Sequence, residues 1–450
     1  MYDKNWYKVD PTTLPILKCK APGPKSLEMH GQASQYMKGY SGQVHLFPVV
    51  FESGHGCTLT DVDGNTYIDF SSGIVVASLG HCHPKVSEAV CKYANTLMNS
   101  HDFTTPIKLK LLEKLAEVSM GDLNGIQLYD SGTTAVEAGI RAARAATGKE
   151  EFVGFYKDFH GKSRDSVSCA AMSKANGLRS GGFVMAPRPN CYRCPYKLKY
   201  PECDLHCADF VETVIDNSTT NQVAAIVVEP VQGWSGAVLP PEGFFKRLKK
   251  ICDKKKILLF ADEVLVGTAR SGKMWCMEHF DTQPDIMTIG KGFGNGFPVT
   301  AMLIREPYKD ALDKISASTS YGGNPMACAA ALASLEVIEE EQLVDKCAAT
   351  GKAMLKRLEE IQSRHPIVGN VRGIGMYLGI ELVKDRETKE PFVDAGIMVY
   401  QKAFEKGVAW VPQNHILRLS PPIIMDEDLA MKGLDIIEEA IAETERHFGY

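Results

Sequence analysis

No part of this sequence is a long apolar run. A membrane-crossing helix needs roughly 18 consecutive apolar residues, and none of the 450 positions starts one. The most apolar helical stretch, ACAAALASL at 327–335, is too short and reads as a buried helix. An excess of one charge is also missing: 50 Lys and Arg stand against 55 Asp and Glu, a formal charge of −5. That balance argues against nucleic acid or an anionic membrane surface as partner. The first residues, MYDKNWYKVDPTT, lack an apolar signal core and a basic amphipathic pattern, so no targeting segment is expected and the location reads as cytoplasmic. Paired cysteines at regular spacing are missing too. The 13 cysteines are odd in number and scattered, which fits reduced thiols better than a disulfide framework. There is no internal repeat and no low-complexity segment.

One cysteine cluster stands apart: CYRCPYKLKYPECDLHC carries Cys191, Cys194, Cys203 and Cys207 with His206. Its first pair has a zinc-like gap of two residues, but the following gaps of 8 and 3 match no zinc pattern. A Pro- and Tyr-rich surface loop without metal is the expectation.

What is present is an alternation of helix and strand. Residues 1–60 read as irregular, with KAPGPKS (20–26) as a breaker. GCTLTDVDGNTYIDF (56–70) alternates around Asp63-Gly64, the sign of a hairpin. PIKLKLLEKLAEVS is an amphipathic helix; GIQLYD is a strand; SGTTAVEAGIRAARAATG is a helix closed by Gly148. VAAIVVEP, ILLFADEV and PDIMTIG are continuous apolar strands with the helix EGFFKRLKKICDKKK among them. Such strands mean a parallel sheet covered on both faces, with ligands bound beyond the carboxyl ends. The stretch 327–365 is helical. Two strand-like segments, VRGIGMYLGIELV and HILRLSPPIIM, precede a closing helix at 426–447. The expected organisation is an N-terminal segment, 1–70, packing with a smaller α+β domain, 330–450, and a large α/β domain, 71–329, with a mostly parallel sheet between helices.

Three strands deliver Glu229, Asp262 and Lys291 to one edge of that sheet. Lys291 leaves its strand on a glycine turn, TIGKGFGNGF, where a planar group can approach the backbone. A desolvated lysine amine can attack a carbonyl. Asp262 follows ILLFA, so its carboxylate should be poorly solvated and need a cationic partner. Lysine for an aldehyde and aspartate for a pyridinium nitrogen are what pyridoxal 5'-phosphate requires. Ser131, Gly132, Thr133 and Thr134 open a helix after a strand, where free N–H groups suit a phosphate. GFYKDFHGKS adds Phe159 and His160 before Gly161, an aromatic ring able to cover a flat cofactor.

Assembled in this way, the chain resembles the class III (ω-amino acid) aminotransferases, fold type I of the pyridoxal-phosphate enzymes. The resemblance spans nearly the whole length, from TLTDVDGNTYIDF and GHCHP to LRLSPP. It is strongest in LLFADEVLVGTARSGKMWCMEHFDTQPDIMTIGKGFGNGFP and GNPMACAAALASLEVI. It implies that Lys291 is the Schiff-base lysine and Asp262 the pyridinium partner. It further implies that Val264 and Phe159 cover the two ring faces and that Gly132 and Thr133 bind the phosphate. Ser320 stands where the family's threonine reaches the neighbouring subunit's phosphate. A homodimer with shared active sites, or a tetramer built from such dimers, follows.

Besides Ser320, the sequence departs from the family in two places. Leu265 replaces a glutamine of the signature, and Trp234 replaces a glutamate that elsewhere swings onto the arginine matched by Arg418. Arg418 still offers a fork for a carboxylate, and Lys162 a point charge for a distal one. The resemblance therefore implies an aminotransferase with 2-oxoglutarate as acceptor. Trp234 would accommodate a bulkier or less charged donor: an ω- or β-amino acid such as a 4-aminobutyrate-like compound, or a 3-aminoacyl-CoA such as 3-aminobutyryl-CoA. An amino-acid racemase or 2-epimerase, using the same Lys291, is the alternative.

Overall fold

The computed structural model describes residues 2–39, 42–170 and 180–450. The chain forms two compact units, Met1–Pro84 with Glu341–Tyr450, and Lys85–Glu340. They divide at 84/85 and 340/341, against expected divisions at 70/71 and 329/330. Residues 71–84 are tied to the C-terminal part: Ser72 Oγ donates to Ser420 O (2.7 Å) and Ile423 N to Ser78 O (2.8 Å). The helix Pro325–Glu340 instead shares an apolar core with the helix Pro106–Val118, through Ala327, Ala331 and Leu335 against Leu111 and Leu115.

The smaller unit opens with an element the sequence reading did not expect. Pro24–Tyr36 is a helix within the stretch read as irregular. Pro24 sits in its first turn, where the missing N–H costs nothing, so the apparent breaker is a helix start. Strands β1 (Phe51–His55), β2 (Thr58–Asp61) and β3 (Thr66–Asp69) follow as an antiparallel meander. The β2–β3 turn passes through Gly64 at φ 87°, as Asp63-Gly64 suggested.

The larger unit carries β4 (Gly125–Tyr129), β5 (Glu151–Phe155), β6 (Phe183–Ala186), β7 (Val223–Val228), β8 (Leu258–Asp262), β9 (Ile286–Ile289) and β10 (Thr300–Ile304). Their order in one sheet is β4-β10-β9-β8-β7-β5-β6. All pairings from β9 to β6 are parallel, and β10 runs against both its neighbours. β7, β8 and β9 are buried throughout because both sheet faces are covered. Side chains alternate between the faces. Ile226, Val228, Leu259 and Ala261 pack with the helices His206–Ser218 and Phe244–Lys255, while Val227, Leu258 and Phe260 pack with the helix Gly132–Thr147.

The C-terminal part of the smaller unit adds β11 (Val368–Ile374), β12 (Tyr377–Leu382), β13 (Val408–Ala409) and β14 (Ile416–Leu419). VRGIGMYLGIELV thus spans a hairpin, and only the first part of HILRLSPPIIM is a strand. β13 joins β3 in parallel, while β11, β12 and β14 form a separate antiparallel sheet. The helix Leu343–Arg364 approaches the β11–β12 turn closely: a Cβ on Gly351 would lie 2.1 Å from Gly375 O. The helix Glu427–Phe448 closes the chain. Among the described residues, no helix is long and apolar enough to cross a membrane.

Candidate active site

Parallel strands end on a common edge, so β5, β7, β8 and β9 release their next residues side by side. β4, antiparallel to β10, points the same way. Each strand end places one expected residue there. Ser131 caps the helix Gly132–Thr147 by accepting from Thr134 N (3.2 Å). That leaves the N–H groups of Gly132 and Thr133 outside the intrahelical ladder. Lys291, half-buried, opens a short turn after β9 at φ 48°, in the left-handed region that non-glycine residues seldom adopt.

Two glycines shape the space between these ends. A Cβ on Gly132 would lie 3.0 Å from Val264 Cγ1; one on Gly290 would lie 3.3 Å from the same atom and 2.7 Å from Thr300 Cγ2. Two strand-end loops therefore converge on Val264 with bare backbone. The loop after β5 closes onto the helix start. Lys162 N donates to Thr133 Oγ1 (3.3 Å), and a Cβ on Gly161 would fall 2.3 Å from that oxygen.

Asp262 is 5% exposed. Its Oδ1 accepts from Thr288 Oγ1 (3.0 Å) and Val264 N (3.1 Å), and its Oδ2 meets His160 Nδ1 at 2.8 Å. Glu229 is buried beside it. Its two oxygens accept from Phe159 N (2.8 Å) and Gly233 N (2.7 Å). Burial, followed by the nearby Asp158 carboxylate, pushes the Glu229 carboxyl up to about 8, while the Gly233 N–H pulls the other way. His160 is raised from its ordinary value. Burial opposes its charge, but contact with Asp262, and then Asp158 and Glu229, prevails.

The remaining expected residues are placed as follows. The rings of Phe159 and Trp234, both half-buried, lie 5.9 Å apart at 31°. Leu265 Cδ1 abuts Gly233, where a Cβ would come within 2.5 Å. Lys162 is exposed on the Phe159 loop. Ser320 is exposed, and its carbonyl accepts from Asn99 Nδ2 (2.9 Å). Arg418, 3% exposed, belongs to the smaller unit, on β14 opposite Gly379 of β12. Sequence reasoning noticed His160 but not its bond to Asp262, and it missed Asp158, Thr288 and Gln232. Their signal is a tertiary one: residues far apart in the chain share one hydrogen-bond network.

The four thiols of the cysteine loop line one cavity with Tyr196 and His206. All are free, and burial raises the Cys191 thiol and pushes Cys207 up to about 12, so thiolate is scarce. Among the described residues, no three His, Cys, Asp or Glu side chains are placed to hold a metal ion.

Comparison with known proteins finds relatives along most of the chain. The family model for class-III aminotransferases matches residues 40–441. A leucine/methionine racemase of Thermococcus litoralis is 35% identical over 414 residues, covering 90% of this chain and 93% of the relative. A 5-aminovalerate aminotransferase of Pseudomonas putida is also 35% identical over 414 residues, covering 89% and 95%. The omega transaminase from Pseudomonas jessenii in complex with PMP superposes with a TM-score of 0.87 at 28% identity, covering 94% of this chain and 99% of that one. The family's cofactor is pyridoxal 5'-phosphate. The residues present fit it: a half-buried lysine on a glycine turn, a buried carboxylate, a helix start with free N–H groups, and backbone cleared of Cβ atoms around Val264. The chain is a pyridoxal phosphate-dependent enzyme of the class-III aminotransferase family.

Proposed function

We propose that the enzyme moves an amino group from an ω- or β-amino compound to a keto acid, 2-oxoglutarate. The donor is a 4-aminobutyrate-like amino acid or a 3-aminoacyl-CoA such as 3-aminobutyryl-CoA. The observation that carries this reading is the Phe159–Trp234 contact at the edge that also bears Lys291 and Asp262. The resemblance gives that position a glutamate, and an aromatic wall there supports a donor that is bulkier, or less charged next to its amine.

The cofactor, when bound, supplies the aldehyde that receives the amino group and a ring that withdraws electrons. Lys291 Nζ would hold the aldehyde, and its amine would take a proton from the substrate's amine-bearing carbon as general base and return it as general acid. Asp262 would pair with the ring nitrogen. Gly132 and Thr133 would hold the phosphate, and Phe159 and Val264 would lie against the ring, with Glu229 fixing the Phe159 backbone. By the resemblance, Arg418 and Lys162 are each assigned a carboxylate of the acceptor. Ser320 reaches the phosphate of a neighbouring subunit in a homodimer.

Incubation with 15N-labelled donors and 2-oxoglutarate tests the proposal: the label must appear in glutamate. A second reading, racemisation or 2-epimerisation of an amino acid, is favoured by the Thermococcus litoralis relative, itself a racemase. It requires deuterium uptake from solvent at the substrate's α-carbon with no label leaving the substrate. Trp234→Glu should shift donor preference away from bulkier donors, and an unchanged preference removes the role given to Trp234.

A further inference from the structure

Behind Asp262 lies a second fully buried carboxylate that the chemistry above does not use. Asp158 Oδ1 accepts from Gln232 Nε2 (2.6 Å), and Oδ2 accepts from Glu229 N (3.0 Å). Glu229 returns the contact by accepting from Phe159 N. The loops after β5 and β7 are therefore clamped reciprocally. The same Asp158 Oδ2 lies 3.7 Å from His160 Nε2 and 3.6 Å from Arg188 Nη1. Nε2 is buried and has no hydrogen-bond partner. The imidazole thus spans two carboxylates: Nδ1 on Asp262 at 2.8 Å, Nε2 facing Asp158.

This arrangement decides the charge of the ring. A neutral imidazole donating from Nδ1 would turn the lone pair of Nε2 toward the Asp158 carboxylate, which is repulsive. A proton on Nε2 makes both ends attractive. The groups facing His160 are Asp262 on β8, Asp158 on its own loop and Glu229 after β7, with Arg188 against the same Asp158 oxygen.

We propose that Asp158 is a positioning residue of the cofactor site, which holds His160 as an imidazolium and through it fixes Asp262 and tempers its negative charge. The proposal rests on Asp262 being the partner of the cofactor's ring nitrogen. It assigns Asp158 an electrostatic role beyond joining two loops.

The test is nitrogen NMR of the cofactor-loaded enzyme with 15N-labelled histidine, the His160 signal being identified by its loss in His160→Gln. Asp158→Asn should move the His160 titration down by about one pH unit. Arg188→Met, which removes the cation beside Asp158, should move it up. Gln232→Leu cuts one clamp bond with the Asp158 charge intact, and it should leave the titration in place. If Asp158→Asn and Arg188→Met leave the titration unmoved, or if Gln232→Leu shifts it as much as Asp158→Asn, Asp158 is only a clamp and the proposal falls. Asp262→Asn separates the premise from the proposal. Unchanged cofactor retention in that variant would refute the role of Asp262, while the titration still reports on the Asp158–His160 contact.

Discussion

Two kinds of residue dominate the edge of the larger unit: those that would do chemistry and those that tolerate burial of charge. Lys291 belongs to the first. Lys291→Ala should lower turnover by about 10²–10⁴-fold, the usual worth of a positioned acid-base group. Steady-state assays with and without an added primary amine check this, since a small amine in solution should restore part of the rate. Glu263 belongs to the second. It is 1% exposed and accepts from Cys276 N and Met277 N, yet burial pushes its carboxyl up to about 8 from an ordinary 4.5. The folded-state value is raised, so stability from the protonated group is complete below pH 4.5 and is lost as the pH rises through about 8. Denaturation curves of the protein without cofactor should weaken across that window. Glu263→Gln, neutral at every pH, should flatten the loss, and curves parallel to the wild type would contradict the assignment.

Helix and strand packing allow a sharper prediction. Gly139 lies within the helix Gly132–Thr147, where glycine is ordinarily about 1 kcal/mol worse than alanine. Here a Cβ would meet the Phe260 ring at 2.5 Å. Gly139→Ala should therefore destabilise, by roughly 1–3 kcal/mol of overpacking, measured as a lower thermal midpoint. The central strands were legible for the same reason that this site is tight. VAAIVV, LLFAD and IMTI are apolar at nearly every position because helices cover both faces of the sheet. Glu229, Asp262 and Lys291 could then be placed by counting to each strand's end. β6 and β10 escaped, because FVMA is short and nothing local in TAMLI encodes a direction opposed to its neighbours. Pro24 misled, because the residue that breaks a helix interior also begins one. Asp158 was invisible because its meaning depends on residues 188, 229, 232 and 160 meeting in three dimensions.

At the level of the whole molecule, the larger unit exposes Phe103 (81%), Tyr321 (65%) and Met98 (59%) near the Asn99–Ser320 contact. Exposed apolar side chains of this size mark an interaction surface. The proposed occupant is a second copy of the chain, which would bring Ser320 to the other subunit's phosphate site. Phe103→Glu should shift the sedimentation of the holoenzyme from dimer to monomer and loosen its cofactor. A variant that stays dimeric with its cofactor held as tightly would exclude this surface from the interface.

The predictions of activity and cofactor retention depend on the cofactor being held at the end of β9. Borohydride reduction of the purified holoenzyme, followed by peptide mass mapping, tests that most directly. The account predicts the mass of a reduced pyridoxyl phosphate group on the peptide containing Lys291 and on no other lysine. The modification on a different lysine, or on none in a protein that carries the cofactor, would contradict it.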